Sequence, residues 1–522
     1  MREKPVTISP PCISLLVVLF LLLSLIPFSS SGLRSADAAG TPVTTTITGN
    51  TVSGNFSTQV VPPPQGGNLY GIQGGQTVGK NLFHSFSQFN LGPGDIAQFQ
   101  TSNLSPTVAI SNILGRIYGQ QSPSQIFGTI DSATYYPAAS LFLMNPNGFL
   151  FGPNASVNVG GMMTFTTADY IRLANGGRFN ANPNTLPGDN PISADVVAFG
   201  FLSTNLHPAE IRFEGGQLTV AGGTGLTLVG GDINLIPDAS GTPSTITAHG
   251  RSIQMTSVAG PGEVAADTGV PAAGMALGTV TLGQGTILDT SGDTSFGDGS
   301  GSGGTISIRG GQLIATAATI TTNPAPGSTG VGGDVTIAVT GSASFTDSLI
   351  QTGPIADFVN FVGSAGAVSI AADASLTMTN TTIDTSTYGG GGNSGAVTLK
   401  TNGSLSLTDS FISTGSSAPG NGGAVTITGK DVALNNSGIF TDVFTDFSDL
   451  ASDPAMGQVH PGTVTITAQN TVTLSGTLGG DPTIATISAT SFGTFADAGS
   501  IAITGRTVNS HKDRLIRVET SA

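Results

Sequence analysis

Apolar and polar residues alternate in short runs along most of this chain, and the runs recur. The clearest copies follow a glycine: GTVTL at Gly278, GTISI at Gly304, GDVTI at Gly333, GAVSI at Gly366, GAVTL at Gly395, GAVTI at Gly423, GTVTI at Gly462 and GSIAI at Gly499. A period of two is the mark of a strand with one buried face. Successive markers lie 26 to 39 residues apart, and most units hold two more alternating runs, such as SLSL at 404–407 and FIST at 411–414. Three short strands per repeat predict one rung of a three-sided parallel β-helix. Val397, Leu399, Leu405, Leu407, Ile412 and Thr414 would then face its interior. Stacking would align Val335, Val368, Val397, Val425 and Val464 into one ladder and Ile320, Ile350, Ile383, Ile412 and Ile439 into another. Roughly 15 to 18 rungs at about 4.8 Å predict a rod of about 70 to 90 Å. Propeller blades need four strands in units of about 40 residues, and immunoglobulin-like domains need about 100 residues. A left-handed hexapeptide helix would show a strict six-residue period, which is absent.

The spacing varies because one corner of the rung expands, between the third strand and the next glycine. Loops on a rigid scaffold are natural contact sites. The longest, 441–462, carries Phe444, Phe447 and the acidic residues Asp442, Asp446, Asp449 and Asp453, and is the candidate contact loop. A solvated insertion has the same composition.

Upstream, the stretch 145–161 reads NPNGFLFGPNASVNVGG. Asn145, Pro146, Asn147 and Gly148 have the residue chemistry of a β-turn, and the two runs after it look like a hairpin. Before it come NLFHSFSQFNL at 81–91, which contains His84 and Asn90, then SNILGRIYG at 111–119, then LFLM leading into the turn. His84 sits among aromatic residues and is expected to pack rather than to bind. This ordered set resembles the secretion domain of the filamentous haemagglutinin family, the exoproteins of bacterial two-partner secretion, over about residues 41–180. The resemblance implies a right-handed parallel β-helix and a dedicated outer-membrane β-barrel transporter as partner. It also implies that Asn145, Pro146, Asn147 and Gly148, with Asn90, form the transporter-recognition motif.

Composition agrees with an all-β chain: 75 Gly, no Trp, 9% charged and 38% hydrophobic residues. A disordered chain would have few apolar residues and much charge. The N-terminus has the three regions of a secretory signal: Arg2 and Lys4, an apolar run over 13–26, and small residues at Ala36 and Ala38. That run is shorter than the about 20 residues a membrane span needs. The only cysteine, Cys12, lies ahead of it and would leave with the signal. A formal charge of −15 disfavours nucleic acid and anionic lipid as partners. The TTTITGN stretch would cap the open end of the stack.

No catalytic constellation is present. His84, His207, His249, His460 and His511 are scattered, and HExxH, GxSxG and phosphate-loop motifs are missing. Asp293 and Asp298 suggest a calcium turn, but no tandem nonapeptides accompany them. No cofactor or metal is expected. The sequence therefore predicts a signal peptide at 1–38, a two-partner secretion domain at 39–237, a β-helical repeat rod at 238–508 and a tail or cap at 509–522. The expected role is a secreted or cell-surface adhesin, exported through the periplasm, whose further partners are host or neighbouring-cell surface or matrix glycans or proteins. The alternative is an extracellular carbohydrate-active β-helix enzyme, a polysaccharide lyase or glycosidase, which would need paired carboxylates across a cleft.

Overall fold

The computed structural model describes residues 43–50, 56–101, 109–203, 207–295, 301–354, 363–388, 392–416, 420–444, 460–476, 487–492, 498–510, 516–517 and 520–521. The expected signal, residues 1–38, lies outside them. So do Asp298 and most of the longest loop, including Asp446, Phe447, Asp449 and Asp453.

The described chain winds into a three-sided parallel β-helix. Each turn lays one strand on each of three long sheets, as in Val397–Thr401, Ser404–Thr408 and Phe411–Ser413. The coil takes the right-handed sense that parallel crossovers adopt. Alternation sends Val397, Leu399, Leu405, Leu407, Ile412 and Thr414 inward, and all are buried. Both expected ladders are in register: Val335 pairs with Val368, then Val397, Val425 and Val464, and Ile320 with Ile350, Ile383, Ile412 and Ile439.

Two corners explain the recurring residues. Where the third strand ends, a buried threonine hydroxyl donates to the carbonyl of the glycine that opens the next rung. Thr290 does so to Gly304, Thr322 to Gly333, Thr352 to Gly366, Thr385 to Gly395, Thr414 to Gly423 and Thr441 to Gly462, at 2.5 to 3.0 Å. These glycines stack so closely that a Cβ at Gly395 would lie 1.9 Å from the Gly366 carbonyl oxygen. No side chain fits there. At the corner between the second and third strands, Asp347, Asn380, Asp409 and Asn436 take the left-handed backbone that short polar residues tolerate best after glycine. Asn380 also donates to the Asp347 carboxylate at 2.6 Å.

Three expectations change. Gly278 opens Thr279–Leu282, which pairs with Ile233–Ile236 and Gln312–Thr316 on the second sheet, so this marker lies on a different face from the other seven. The two strands after Asn145 are not a hairpin: Phe149–Phe151 and Ala155–Asn158 belong to different sheets, joined through a corner with Asn154 in left-handed backbone. The rod is also shorter than expected. Among the described residues the first sheet runs through thirteen parallel strands, giving about 60 Å at 4.8 Å per rung. Part of the chain is spent outside the coil.

That part is a four-stranded antiparallel sheet of Tyr170–Leu173, Arg178–Asn180, Val196–Phe201 and Gly262–Ala265. It lies on the outside of the first sheet, where Phe83, Leu114, Phe142 and Met144 pack against Ile171, Phe179, Phe199 and Val264 in a second apolar cluster. Strands covered on both faces do not alternate. Asn112–Ile117 is accordingly buried at all six positions. At the N-terminal end, Thr46–Gly49 and Thr58–Val61 pair antiparallel with Asn81–Asn90 and Leu69–Gly74, the cap expected from TTTITGN. At the other end Thr507–Ser510 and Ile516–Arg517 still pair in parallel with the preceding rung, so the coil reaches into the stretch expected as tail.

Candidate functional site

The motif expected to be recognised, Asn145 to Gly148, sits on one corner of the N-terminal part, between the first and second sheets. Ser140–Met144 delivers Asn145 to that corner, and Phe149–Phe151 leaves it. Asn145 is fully buried. Its side-chain oxygen accepts from the Asn147 backbone N–H at 3.0 Å, and its carbonyl from Gly148 N–H at 3.0 Å, so the tetrapeptide closes on itself. Pro146 is half-buried and Asn147 exposed. Gly148 has φ 99°, and a Cβ there would meet the Glu210 carbonyl oxygen at 2.7 Å, so both dihedral and space require glycine.

The turn is stapled to earlier rungs by residues that sequence reasoning missed. Asn145 Nδ2 donates to Ser124 Oγ at 3.0 Å, and Asn147 Nδ2 to the Gln120 carbonyl at 2.7 Å. Gln120, only 5% exposed, donates from Nε2 to Asn90 Oδ1 at 3.1 Å and accepts from Phe89 N–H at 3.0 Å. Asn90 Oδ1 also accepts from Gln125 N–H at 3.0 Å. Asn90 and the turn, 55 residues apart in sequence, therefore meet through Gln120 across three consecutive rungs. The signal available for Gln120 was the polar run GQQSPSQ between two strand motifs.

A cavity of about 320 Å³ opens beside this corner, lined by Tyr118, Gln120, Gln121, Pro146, Asn147 and Asn182 among others. Its far wall belongs to the loop after Arg178–Asn180. That loop is tied down by Arg116, fully buried, whose guanidinium donates to Asp189 at 2.7 Å, to the Asn180 carbonyl at 2.8 Å and to Ser85 at 3.1 Å. Burial lowers the Arg116 guanidinium below its ordinary value, and Asp189 opposes that shift. The cavity lining itself is uncharged.

His84 is buried with its ring stacked on Phe86 and edge-on to Phe99, so it packs as expected, and burial drives it down to about 3. Asp293 accepts from Ser295 N–H, which is an ordinary turn contact.

The TPS secretion domain family matches residues 48–313, just over half of the chain, and the match includes the whole corner. This chain belongs to the TPS secretion domain family. Members of that family are exoproteins of two-partner secretion, each carried out by a partner outer-membrane transporter. The TPS match runs past Ile236 and covers the entire four-stranded sheet. The crystal structure of the HMW1 secretion domain from Haemophilus influenzae is similar to this chain at 17% identity and a TM-score of 0.48, over 84% of this chain and 100% of that one. No curated protein matches the chain in sequence.

Proposed function

We propose that the N-terminal part of this chain, residues 39–237 by its sequence, presents the Asn145–Gly148 corner to a β-barrel transporter in the outer membrane, and that residues 238–508 form a rod displayed outside the cell as an adhesin. The division is functional, since the three sheets run through it unbroken. The observation that carries the reading is the TPS family match over a corner in which Asn90, Asn145, Asn147 and Gly148 share one hydrogen-bond network. Family membership supplies the partner, and the network supplies a rigid, uncharged turn for it to read. On this reading the leader at 1–38 directs the chain to the periplasm, and the corner loops of the rod meet glycans or proteins of host or neighbouring cells or of the matrix.

The test is the double substitution Asn147→Ala with Gly148→Ala in the full chain, co-expressed with the barrel transporter. The variant should accumulate inside the cell envelope while the parent reaches the medium. Equal amounts of both in the medium would remove the turn from recognition.

A further inference from the structure

We propose that the loop at 182–190, with Leu186 at its tip, and the cavity beside the Asn145–Gly148 turn form one docking surface for the transporter. The occupant is an uncharged, extended segment of that partner, which also offers an apolar pocket to Leu186. The inference rests on the reading that the transporter recognises this corner, and adds where the contact extends and what carries it.

Leu186 is 87% exposed, far more than the other large apolar side chains at the surface among the described residues. It is held there. Asn182 accepts from Asn184 N–H at 2.9 Å through its side chain and from Thr185 N–H at 3.0 Å through its carbonyl. Asn180 Nδ2 donates to the Pro187 carbonyl at 3.0 Å, and Asn180 N–H to Asp189 at 2.8 Å. The Arg116–Asp189 pair then pins the far side of the loop to the coil. With both flanks fixed, the loop cannot fold Leu186 back onto the protein, so the side chain is preorganised as an anchor.

The cavity is continuous with that loop. Asn182 shares its wall with Pro146, Asn147, Tyr118 and Gln121, so the recognition turn and the loop border one opening. Amides and a phenol without charge suit hydrogen bonding to a peptide backbone, and the lining offers no formal charge to pair with a charged group. The first sheet behind is already covered by the antiparallel sheet, and the N-terminal end by the cap, which leaves this corner as the place where turn and loop can be read together.

The experiment measures binding of the purified full chain to the detergent-solubilised transporter, alongside release into the medium. Leu186→Asp should weaken binding about 10- to 100-fold, the worth of one buried leucine, and Asn182→Trp, which fills the cavity, should weaken it at least about 10-fold by excluding the segment. Leu186→Ser keeps the test sound should either variant fold poorly, because it alters one exposed side chain. Its thermal midpoint should match the parent while its affinity falls. If all three bind as the parent does while the Asn147→Ala, Gly148→Ala double variant fails, the docking surface is wrong and the turn reading stands. If the parent itself does not bind the transporter, both fall.

Discussion

Replacing Thr414 with valine tests the corner clamp that closes each rung. The hydroxyl of Thr414 is buried and donates to the Gly423 carbonyl at 2.6 Å, while Gly423 N–H donates back to the Thr414 carbonyl at 2.8 Å. Valine has nearly the same shape, so the packing survives and only the donor is lost. The Gly423 carbonyl is then buried without its partner, which costs about 1 to 3 kcal/mol. A solenoid opens rung by rung, so this loss should act locally rather than across the whole rod. Hydrogen exchange read by mass spectrometry on the purified chain should therefore show amides over 411–425 exchanging about 5- to 150-fold faster, with peptides over 140–166 unchanged. Thr414→Ser keeps the hydroxyl and should stay much closer to the parent. Exchange at 411–425 that is identical in the valine variant and the parent would refute the clamp.

Two other perturbations test the packing and the buried histidine. Gly395→Ala places a Cβ 1.9 Å from the Gly366 carbonyl oxygen, so adjacent rungs must part. A loss of about 4 kcal/mol or more, read from the guanidinium midpoint, is expected, whereas Gly188→Ala, in open space, should stay within about 0.5 kcal/mol. His84 is held neutral with its value pushed down to about 3, below the unfolded 6.5. Its contribution is thus complete above pH 6.5 and is lost as pH falls toward 3, because the unfolded chain takes up the proton first. The slope in that window should be about 1.4 kcal/mol per pH unit, and His84→Leu should flatten it; an unchanged slope in that variant would assign the acid sensitivity elsewhere.

How much was legible depended on whether a feature was periodic. Val397 and Ile412 could be placed inside because their neighbours alternate and the units repeat, and burial of one face forces the register. Gly278 misled because GTVTL reads like the other markers, yet the chain before it leaves the coil to supply Gly262–Ala265, and the count of strands slips by one face. Phe149–Phe151 and Ala155–Asn158 read as a hairpin because a local pattern cannot say that both partners are a full turn away. The antiparallel sheet had a trace in the sequence: NILGRI and LFLM do not alternate, as strands buried on both faces should not. The link from Asn90 through Gln120 to Asn147 had only the polar run GQQSPSQ, in which a buried glutamine looks like a solvated one.

The corner clamp also accounts for where this protein can vary. Its donor and acceptor are 9 residues apart at Thr414 and Gly423, 14 apart at Thr352 and Gly366, and 21 apart at Thr441 and Gly462, yet the bond stays between 2.5 and 3.0 Å. The base of each loop is therefore fixed whatever the loop contains. Lengthening a flexible loop from 9 to 21 residues costs only about 0.7 kcal/mol in closure entropy, less than one clamp contributes. The left-handed corner has no such freedom from Asp347 to Asn436, because its residues stack rung on rung with their backbones paired, and an insertion there would break the ladder. From Gly333 to Gly462 the clamped edge thus takes up the differences in loop length, while in the earlier rungs the corner between the first and second sheets carries the insertions that build the antiparallel sheet. The clamped edge lies along a scaffold whose shape does not depend on it, so its loops can change what they touch without disturbing how the coil folds.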